Sequence, residues 1–279
     1  MILINGVNTS SVAVTDRAMQ YGDGCFTTML VDGGQIRLWP YHLARLQQTV
    51  DVLAITPPDW QAVTDTVHAL APTLCAQETV ASALADKAGI KILISRGSGG
   101  RGYSPTGCHD TQVVISTFGW PEHYSQWQQD GITLGICQQR LAHAPMLAGL
   151  KHLNRLEQVM LKREVEQQGG VDAIALDIDG NVVETVASNL FWRRGDQVYT
   201  PDLELSGVAG VMRRHVIELL KAMGYHTRLV KAPIDSVLAA DEVFITNALM
   251  ALVPINEIHG VMFTERQTVS ELNKRLYTC

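Results

Sequence analysis

The sequence predicts a mixed α/β protein of the α+β kind that is built from two domains. Short apolar runs typical of strands alternate with helical segments along the 279 residues. Trp120-Pro121 interrupts this alternation, and a residue that precedes proline is biased toward extended structure. We therefore predict a small N-terminal domain over residues 1–118 and a larger C-terminal domain over residues 119–279. A cleft between two such domains is a common place for a small-molecule site.

The N-terminal domain is predicted to open with hairpins and to continue with helices and further strands. Asn5-Gly6 follows the apolar run 2–4, and Asp32-Gly33-Gly34 lies within 29–38; both are hairpin turn sequences. Apolar residues at helical spacing indicate the first helix, and Pro57-Pro58 separates it from the second. The remaining predicted elements are helices at 41–53 and 60–74 and strands at 90–95 and 112–118.

The C-terminal domain is predicted to be rich in antiparallel strands with helices packed outside them. Asp179-Gly180-Asn181 and Arg194-Gly195-Asp196 lie between strand-like runs and predict two hairpins. The predicted elements are strands at 132–137, 173–178, 182–186, 190–192, 197–200, 226–230 and 242–246 and helices at 153–168, 211–223 and 264–277.

Composition excludes several classes of function. The chain carries 22 Lys and Arg against 28 Asp and Glu, a net charge of −6, whereas nucleic-acid binding usually shows an excess of basic residues. No run of 18 apolar residues exists, so we expect no transmembrane helix. The first residues lack a basic start followed by a long apolar stretch, so we expect no signal peptide.

Cysteine usage indicates a cytoplasmic protein without a metal site. The five cysteines are odd in number and widely spaced, and no CxxC occurs. Zinc-ligand spacing is therefore absent, and a disulfide framework is not expected. Cys25 lies in a glycine-rich segment and could be a nucleophile, but a small buried residue is the favoured interpretation. The cysteines are Cys25, Cys75, Cys108, Cys137 and Cys279.

Three local features suggest chemistry, and each has a plain structural alternative. Gly207-Val208-Ala209-Gly210 precedes a predicted helix and could bind an anion, although such a segment is more often a simple loop. Glu184 lies in an apolar strand, where it either pairs with a cation or points to solvent. Lys151 lies between apolar residues and is either a desolvated amine suited to Schiff-base chemistry or a solvated surface lysine.

Taken together, these features resemble the signature of the class IV aminotransferase-like pyridoxal-phosphate enzymes. The match comprises Glu184, Asn189-Leu190-Phe191, Val198-Tyr199-Thr200 and residues 208–213. Residues 149–155 resemble the family's lysine segment, and Arg45 lies in the early helix where the family places a phosphate-binding arginine. The resemblance implies the two-domain fold of the D-amino-acid and branched-chain aminotransferases, with the cofactor in the inter-domain cleft.

The resemblance assigns cofactor-binding roles residue by residue. Lys151 forms the Schiff base with pyridoxal phosphate, and Glu184 faces the pyridine nitrogen and keeps it protonated, which tunes the cofactor as an electron sink. Arg45 pairs with the phosphate through charge-assisted hydrogen bonds. The remaining implied cofactor residues are Asn189, the backbone N–H groups of Val208 and Ala209, and Asn247 with Ala248.

Four segments are most similar to the lyase members of the family. This similarity to the lyases implies that the chain converts 4-amino-4-deoxychorismate to 4-aminobenzoate and pyruvate, a step of folate biosynthesis. Lys151 then removes a proton from the substrate, and Thr28 donates or relays one, unless Thr28 is a plain β-branched strand residue. Arg96 and Arg101 are candidates for the two substrate carboxylates, or braces of their loop. The segments are residues 22–28, 95–103, 150–158 and 247–250.

Other interpretations remain open at this level. A D-amino-acid or branched-chain transaminase shares the lysine, glutamate and phosphate residues; Thr28 and the loop 96–103 favour the lyase. Position 187 is Ala, where transaminase relatives often have Gly.

A cofactor-holding protein without turnover is disfavoured by Lys151 and Glu184. His152, beside Lys151, could be a base, but a packing or hydrogen-bonding role is favoured, and Arg155 is interpreted as a salt-bridge residue. The resemblance further implies a homodimer.

Overall fold

The computed structural model describes residues 1–75 and 86–277, so Cys279 lies outside the described residues. The chain divides into two compact units. Unit 1 comprises residues 1–121 with 151–154, and unit 2 comprises residues 122–150 with 155–279. The sequence expectation placed the division at 118/119; it did not anticipate that the short segment 151–154 belongs to the first unit. Within the described ranges, no helix has the length and apolarity needed to cross a membrane.

Unit 1 contains a six-stranded sheet in the order β2-β1-β6-β5-β3-β4. The Asn5-Gly6 hairpin is confirmed, with Gly6 at φ +80° between two antiparallel strands. The short helix α1 was not predicted, because five residues carry too little periodicity. The elements are β1 Ile2–Ile4, β2 Val7–Asn8, α1 Arg17–Tyr21, β3 Gly24–Asp32, β4 Gln35–Ile36, α2 Trp39–Val52, α3 Trp60–Cys75, β5 Lys87–Ser95 and β6 Gln112–Gly119.

The central strands β3 and β5 of unit 1 each have one buried face. Alternate residues of a strand face opposite sides of its sheet. Met29, Ile90 and Ile92 are fully buried and pack with Leu46 of α2 and Val67 of α3 in one core. The opposite face of these strands therefore remains available for polar residues.

Unit 2 contains a nine-stranded mixed sheet in the order β12-β11-β10-β13-β14-β7-β8-β9, with β15 paired to β14. The elements are α4 His123–Asp130, β7 Ile132–Leu141, α5 Leu156–Gln167, β8 Asp172–Asp177, β9 Val182–Thr185, β10 Asn189–Arg194, β11 Gln197–Pro201, α6 Val211–Ala222, β12 His226–Val230, α7 Ile234–Leu238, β13 Glu242–Asn247, β14 Ala251–Ile258, β15 Val261–Met262 and α8 Gln267–Asn273.

The sheet of unit 2 is rich in antiparallel pairs, as predicted. It also contains three parallel pairs, β11 with β12, β14 with β7 and β7 with β8. Strand β14 was not predicted, since Pro254 within it argues against an interior strand; it nevertheless pairs on both sides. The α+β class itself is confirmed.

Candidate active site

The lysine segment is bound to the end of β3 within unit 1. Phe26 N–H donates to the carbonyl of Lys151 at 3.0 Å, and Leu153 N–H donates to the carbonyl of Gly24 at 3.0 Å. Gly24 is required here, because a Cβ would lie 2.2 Å from the carbonyl oxygen of Ile94. The backbone of Lys151 is thereby fixed, and its Nζ lies 4.7 Å from the centroid of the Phe26 ring.

The half-buried face of β3 carries the other polar candidates near this lysine. Thr28 lies two residues beyond Phe26, on the same face of the strand, and pairs in register with Lys91 of β5. Lys91 Nζ also lies 4.7 Å from the centroid of the Phe26 ring. One aromatic ring therefore contacts two cationic side chains, and Thr28 shares their strand face.

Arg45 contacts the opposite, buried face of β3. Its Nη2 donates to Thr27 Oγ1, which in turn lies 2.7 Å from His42 Nδ1. Burial lowers the pKa of Arg45 to about 10, while Cys25 acts in the opposite sense, so the guanidinium stays charged at neutral pH. Its Nε is buried and has no hydrogen-bond partner among the described residues. The residue thus retains one donor for an anion.

Cys25 is a core residue and not a nucleophile. The residue is 1 % exposed, and burial raises the pKa of its thiol to about 12, against the lowering influence of Arg45. A thiol with this pKa holds a negligible thiolate fraction at neutral pH, and the thiolate is the reactive form. The favoured interpretation from the sequence, a small buried residue, is confirmed.

Glu184 of β9 is buried in unit 2, so the alternative that it points to solvent is wrong. Only 5 % of the residue is exposed, and its Oε2 accepts the N–H of Val208 at 2.9 Å. Its charge raises the pKa values of Arg155 and Arg213, although burial, the larger influence, lowers both. A buried carboxylate is stable here because cationic groups and a backbone donor offset its desolvation.

The glycine-rich loop before α6 is held by neighbouring residues of unit 2. Asn189 Nδ2 donates to the carbonyl of Val208 at 2.8 Å, and Gly149 exchanges backbone hydrogen bonds with Gly207 and Ala209 at 3.0 Å each. A side chain at Gly210 would force Asn189 to move, because a Cβ would lie 2.0 Å from Asn189 Oδ1. Asn189 therefore shapes the loop directly.

This arrangement corrects one detail of the expected anion site. The N–H of Val208 donates to Glu184 and that of Ala209 donates to the carbonyl of Gly149, so both are already engaged. The N-terminus of α6, by contrast, has no side-chain cap from the part of the chain that the structure describes. Helix N–H groups without intrahelical partners bind anions. The first turn of α6 is therefore the other candidate for an anion site in this segment.

Asn247 shapes the turn that follows β13. Its Oδ1 accepts the N–H groups of Leu249 and Met250 at 2.9 Å each, and its Nδ2 donates to Ser188 Oγ at 3.2 Å. The side chain of Asn247 thus joins this turn to the segment before β10. Ala248 lies within the turn and is half-buried.

The two arginines of the glycine-rich loop have different environments. Arg96 is buried, and each of its three side-chain nitrogens already donates, to Asp23 and to the carbonyls of Leu53 and Ala54. Arg96 therefore braces the fold, and this geometry does not support its assignment to a substrate carboxylate. Arg101 is exposed in the same loop.

Sequence reasoning missed Arg17, which organises this loop. Its guanidinium donates to Asp23 at 2.8 Å and to the carbonyls of Gly102, Tyr103 and Ser104 at 3.0 to 3.3 Å. The available signal was that Arg17 has an acidic residue, Asp23, six positions further on and lies near a glycine-rich segment. The contacts with 102–104 could not be inferred from it.

Comparison with known proteins places the chain in a family. The profile of the family described as amino-transferase class IV matches residues 24–258. The chain belongs to the class IV aminotransferase family.

Individual relatives within this family are more specific. An aminodeoxychorismate lyase of Vibrio harveyi is 42 % identical over 276 residues, covering 99 % of this chain and 98 % of that protein. The crystal structure of 4-amino-4-deoxychorismate lyase from Pseudomonas aeruginosa has a TM-score of 0.88 and 33 % identity, covering 99 % of both chains. A hypothetical aminotransferase from Mycobacterium tuberculosis in a PLP-bound form has a TM-score of 0.85 at 18 % identity, covering 98 % of this chain and 96 % of that one, and this likeness shows the fold alone.

Proposed function

We infer that this chain catalyses the aminodeoxychorismate lyase reaction, which converts 4-amino-4-deoxychorismate to 4-aminobenzoate and pyruvate. The observation that carries the inference is the 42 % identity with a lyase over almost the full length of both proteins. The structural likeness to a second lyase agrees with it. Lys151, whose backbone is bound to β3, and the buried Glu184 of β9 supply an amine and a carboxylate suited to this chemistry.

We propose pyridoxal phosphate as the cofactor, and the residues present fit it. Lys151 offers a primary amine for covalent attachment. Arg45 has a charged guanidinium whose buried Nε has no partner among the described residues, and the N-terminus of α6 has no side-chain cap among them, so both suit a phosphate. Glu184 is a buried carboxylate suited to a protonated ring nitrogen. When bound, the cofactor draws electrons away from the carbon that bears the substrate amine.

The proton transfers are proposed for two residues of unit 1. Lys151 Nζ removes the proton from the carbon that bears the amine. The bond between the adjacent carbon and the enolpyruvyl oxygen then breaks, and the ring becomes aromatic. The hydroxyl of Thr28 relays a proton to the methylene carbon of the departing group, which leaves as pyruvate. One proton is removed and one is delivered, so the step needs no further reactant.

Two charged side chains, those of Glu184 and Arg101, are proposed to bind the cofactor ring and the substrate. Glu184 keeps the ring nitrogen protonated, and its own charge is maintained by the Val208 N–H and by the neighbouring Arg155 and Arg213. Arg101, exposed in its loop, is proposed to contact a substrate carboxylate. A guanidinium suits this role because its donors match a carboxylate in pairs.

We further propose a cytoplasmic homodimer. Leu156 and Val159 of α5 are 72 % and 60 % exposed, which supports an apolar contact surface on that helix. Cys25, Cys75, Cys108 and Cys137 are all free thiols, which supports a reducing compartment. Sedimentation analysis of the purified protein tests the dimer.

The decisive experiment measures product release directly. Purified protein loaded with pyridoxal phosphate is incubated with 4-amino-4-deoxychorismate, and pyruvate and 4-aminobenzoate are quantified in parallel. We expect the two products in equal amounts. A second assay offers D-alanine with 2-oxoglutarate, and then a branched-chain amino acid with 2-oxoglutarate. Robust transamination without pyruvate release would overturn the lyase assignment in favour of the transaminase.

A further inference from the structure

Thr27 and His42 form a buried pair against Arg45 that the proposed chemistry does not use. Thr27 is fully buried on β3, and His42 is 1 % exposed on α2. Thr27 Oγ1 lies 2.7 Å from His42 Nδ1 and accepts a hydrogen bond from Arg45 Nη2. His42 and Arg45 are three residues apart, so they lie on one face of the helix. The hydroxyl of Thr27 is thus placed between the two side chains.

The direction of these hydrogen bonds follows from the donor inventory. A guanidinium only donates, so Thr27 Oγ1 is the acceptor of the bond from Arg45. Arg45 Nη2 also lies 3.4 Å from His42 Nδ1, and since a guanidinium only donates, this nitrogen is the unprotonated acceptor and takes the hydroxyl hydrogen of Thr27 as well. His42 is therefore neutral, with its hydrogen on Nε2. The surroundings agree, because burial, Arg45 and Lys151 hold the pKa of His42 well below its usual value of 6.5.

The pair restricts a side chain that would otherwise have many conformations. An arginine side chain has many rotamers, and a guanidinium that is already oriented loses less conformational freedom when it binds an anion. Nη2 of Arg45 is held by Thr27, while Nε is buried and has no partner among the described residues. One nitrogen thus anchors the group, and another is left for a ligand.

We propose that Thr27, with His42 behind it, is a positioning residue that orients Arg45 for the phosphate group of the cofactor. The proposal rests on the proposed function, because it takes pyridoxal phosphate as the ligand. Thr27 itself does not touch the ligand in this account. It acts through Arg45, so removal of its hydroxyl weakens recognition of the phosphate and not of the pyridine ring.

The test compares two ligands that differ only in the phosphate. Dissociation constants of the cofactor-free protein for pyridoxal phosphate and for pyridoxal are measured by equilibrium dialysis. For Thr27→Val, which removes the hydroxyl and keeps the shape, we expect binding of pyridoxal phosphate to weaken by about tenfold or more, the range for a hydrogen bond to a charged group. Binding of pyridoxal should change by less than about threefold. Thr27→Ser, which restores the hydroxyl, should return the preference toward the wild-type value.

A matched control comes from the same helix. Thr49 is 2 % exposed, and its hydroxyl bonds to the backbone carbonyl of Arg45 at 2.8 Å, not to the guanidinium. Thr49→Val should therefore leave the preference for the phosphate form unchanged. Because Thr27 is in the core, Thr27→Ala provides a second variant without the hydroxyl, and thermal unfolding verifies that each protein is folded.

The outcomes separate this proposal from the proposed function. A wild-type protein that binds pyridoxal phosphate no better than pyridoxal would contradict the phosphate roles assigned to Arg45 and α6, and with them this proposal. A wild-type preference that Thr27→Val and Thr27→Ala retain in full would overturn the positioning role alone. If the variants bound pyridoxal phosphate and pyridoxal more weakly by the same factor, the positioning role would also be overturned, because loss of a merely structural residue would have that effect.

Discussion

Arg96 Nε donates to Asp23 Oδ2 at 2.7 Å, and both residues lie in glycine-rich segments that are distant in sequence. The same oxygen accepts Nε of Arg17 at 2.8 Å. One carboxylate therefore neutralises two buried guanidiniums, and through them it joins α1, the end of α2 and the loop 97–104. The glycine-rich segments that suggested a substrate site therefore also contain a structural ion-pair cluster, formed by Asp23, Arg17 and Arg96.

Asp23→Asn should destabilise the protein markedly. Removing the carboxylate leaves two guanidiniums without their counter-charge, and breaking a buried ion pair from one side costs about 3 kcal/mol of unfolding free energy. Asp32→Asn is the control, because its partner Arg37 and Asp32 itself are each over a quarter exposed; a pair of that kind contributes about 0–1 kcal/mol. Urea unfolding measures both, and equal effects would contradict the assigned ion-pair cluster.

The same carboxylate predicts a dependence of stability on acid. Burial by itself raises the pKa of Asp23, but hydrogen bonds and charge from Arg96 and Arg17 outweigh it, so the pKa lies below the usual 3.8. A lowered pKa in the folded state stabilises the protein above the unfolded value and loses that contribution as pH falls through the folded value. The stability difference between wild type and Asp23→Asn should therefore shrink below about pH 4.

Glu184→Gln separates the charge of this residue from its hydrogen bond. The amide can still accept the Val208 N–H, so the loop before α6 should keep its shape. The negative charge is lost, and a hydrogen bond to a charged group contributes about 1.5–3 kcal/mol, which corresponds to roughly 10- to 100-fold in turnover. Glu164→Gln is the control, since Glu164 also accepts backbone N–H groups, those of Gln138 and Gln139. Steady-state rates that fall equally in both variants would remove Glu184 from its role.

Lys151→Ala should abolish covalent attachment of the cofactor and leave unit 1 folded. The segment is held through backbone bonds, from Phe26 N–H to the Lys151 carbonyl and from Leu153 N–H to the Gly24 carbonyl, which alanine preserves. The visible absorption band of the attached cofactor should disappear. Lys91→Ala is the control, because Lys91 lies at the same 4.7 Å from the Phe26 ring and should leave the band intact. Survival of the band in Lys151→Ala would disprove the attachment site.

Periodicity and turn chemistry predicted most of the fold, because those signals are local. The hairpin at Asn5-Gly6 and the helices α2, α3 and α6 were found in this way. Strand β14 was missed because a proline argues against an interior strand; Pro254 pairs with Phe244 of β13, and the pairing of β14 with β7 begins at Ile255. The segment 151–154 was assigned by chain order, whereas its backbone bonds join it to β3.

The candidate site was predicted unevenly, because chemical type is visible in a sequence and orientation is not. Lys151, Arg45 and Glu184 were recognised from motifs, but nothing local indicated that Arg96 is fully engaged. Thr27 was overlooked beside Thr28, although alternation with buried Cys25 and Met29 would have placed it on the inward face of β3. The engagement of the Val208 and Ala209 N–H groups could not be predicted, since their bonds depend on partners distant in sequence.

Asp172→Asn should change how stability depends on pH. Burial raises the pKa of Asp172 to about 6, although bonds from the Thr185 hydroxyl and the N–H groups of Ala173 and Val186 act in the opposite sense. A carboxyl whose folded pKa is raised stabilises the protein fully below its unfolded value of 3.8, and this contribution is lost as pH rises through about 6. A pKa difference of roughly two units corresponds to about 3 kcal/mol of unfolding free energy. Wild type should lose this amount between pH 4 and pH 7, whereas Asp172→Asn should not, so the stability of the variant should rise relative to wild type by about the same amount. Urea unfolding across this range provides the measurement, with Asp130→Asn, a substitution at an exposed carboxyl, as the control. A flat difference for Asp172→Asn would show that this carboxyl titrates normally in the folded protein.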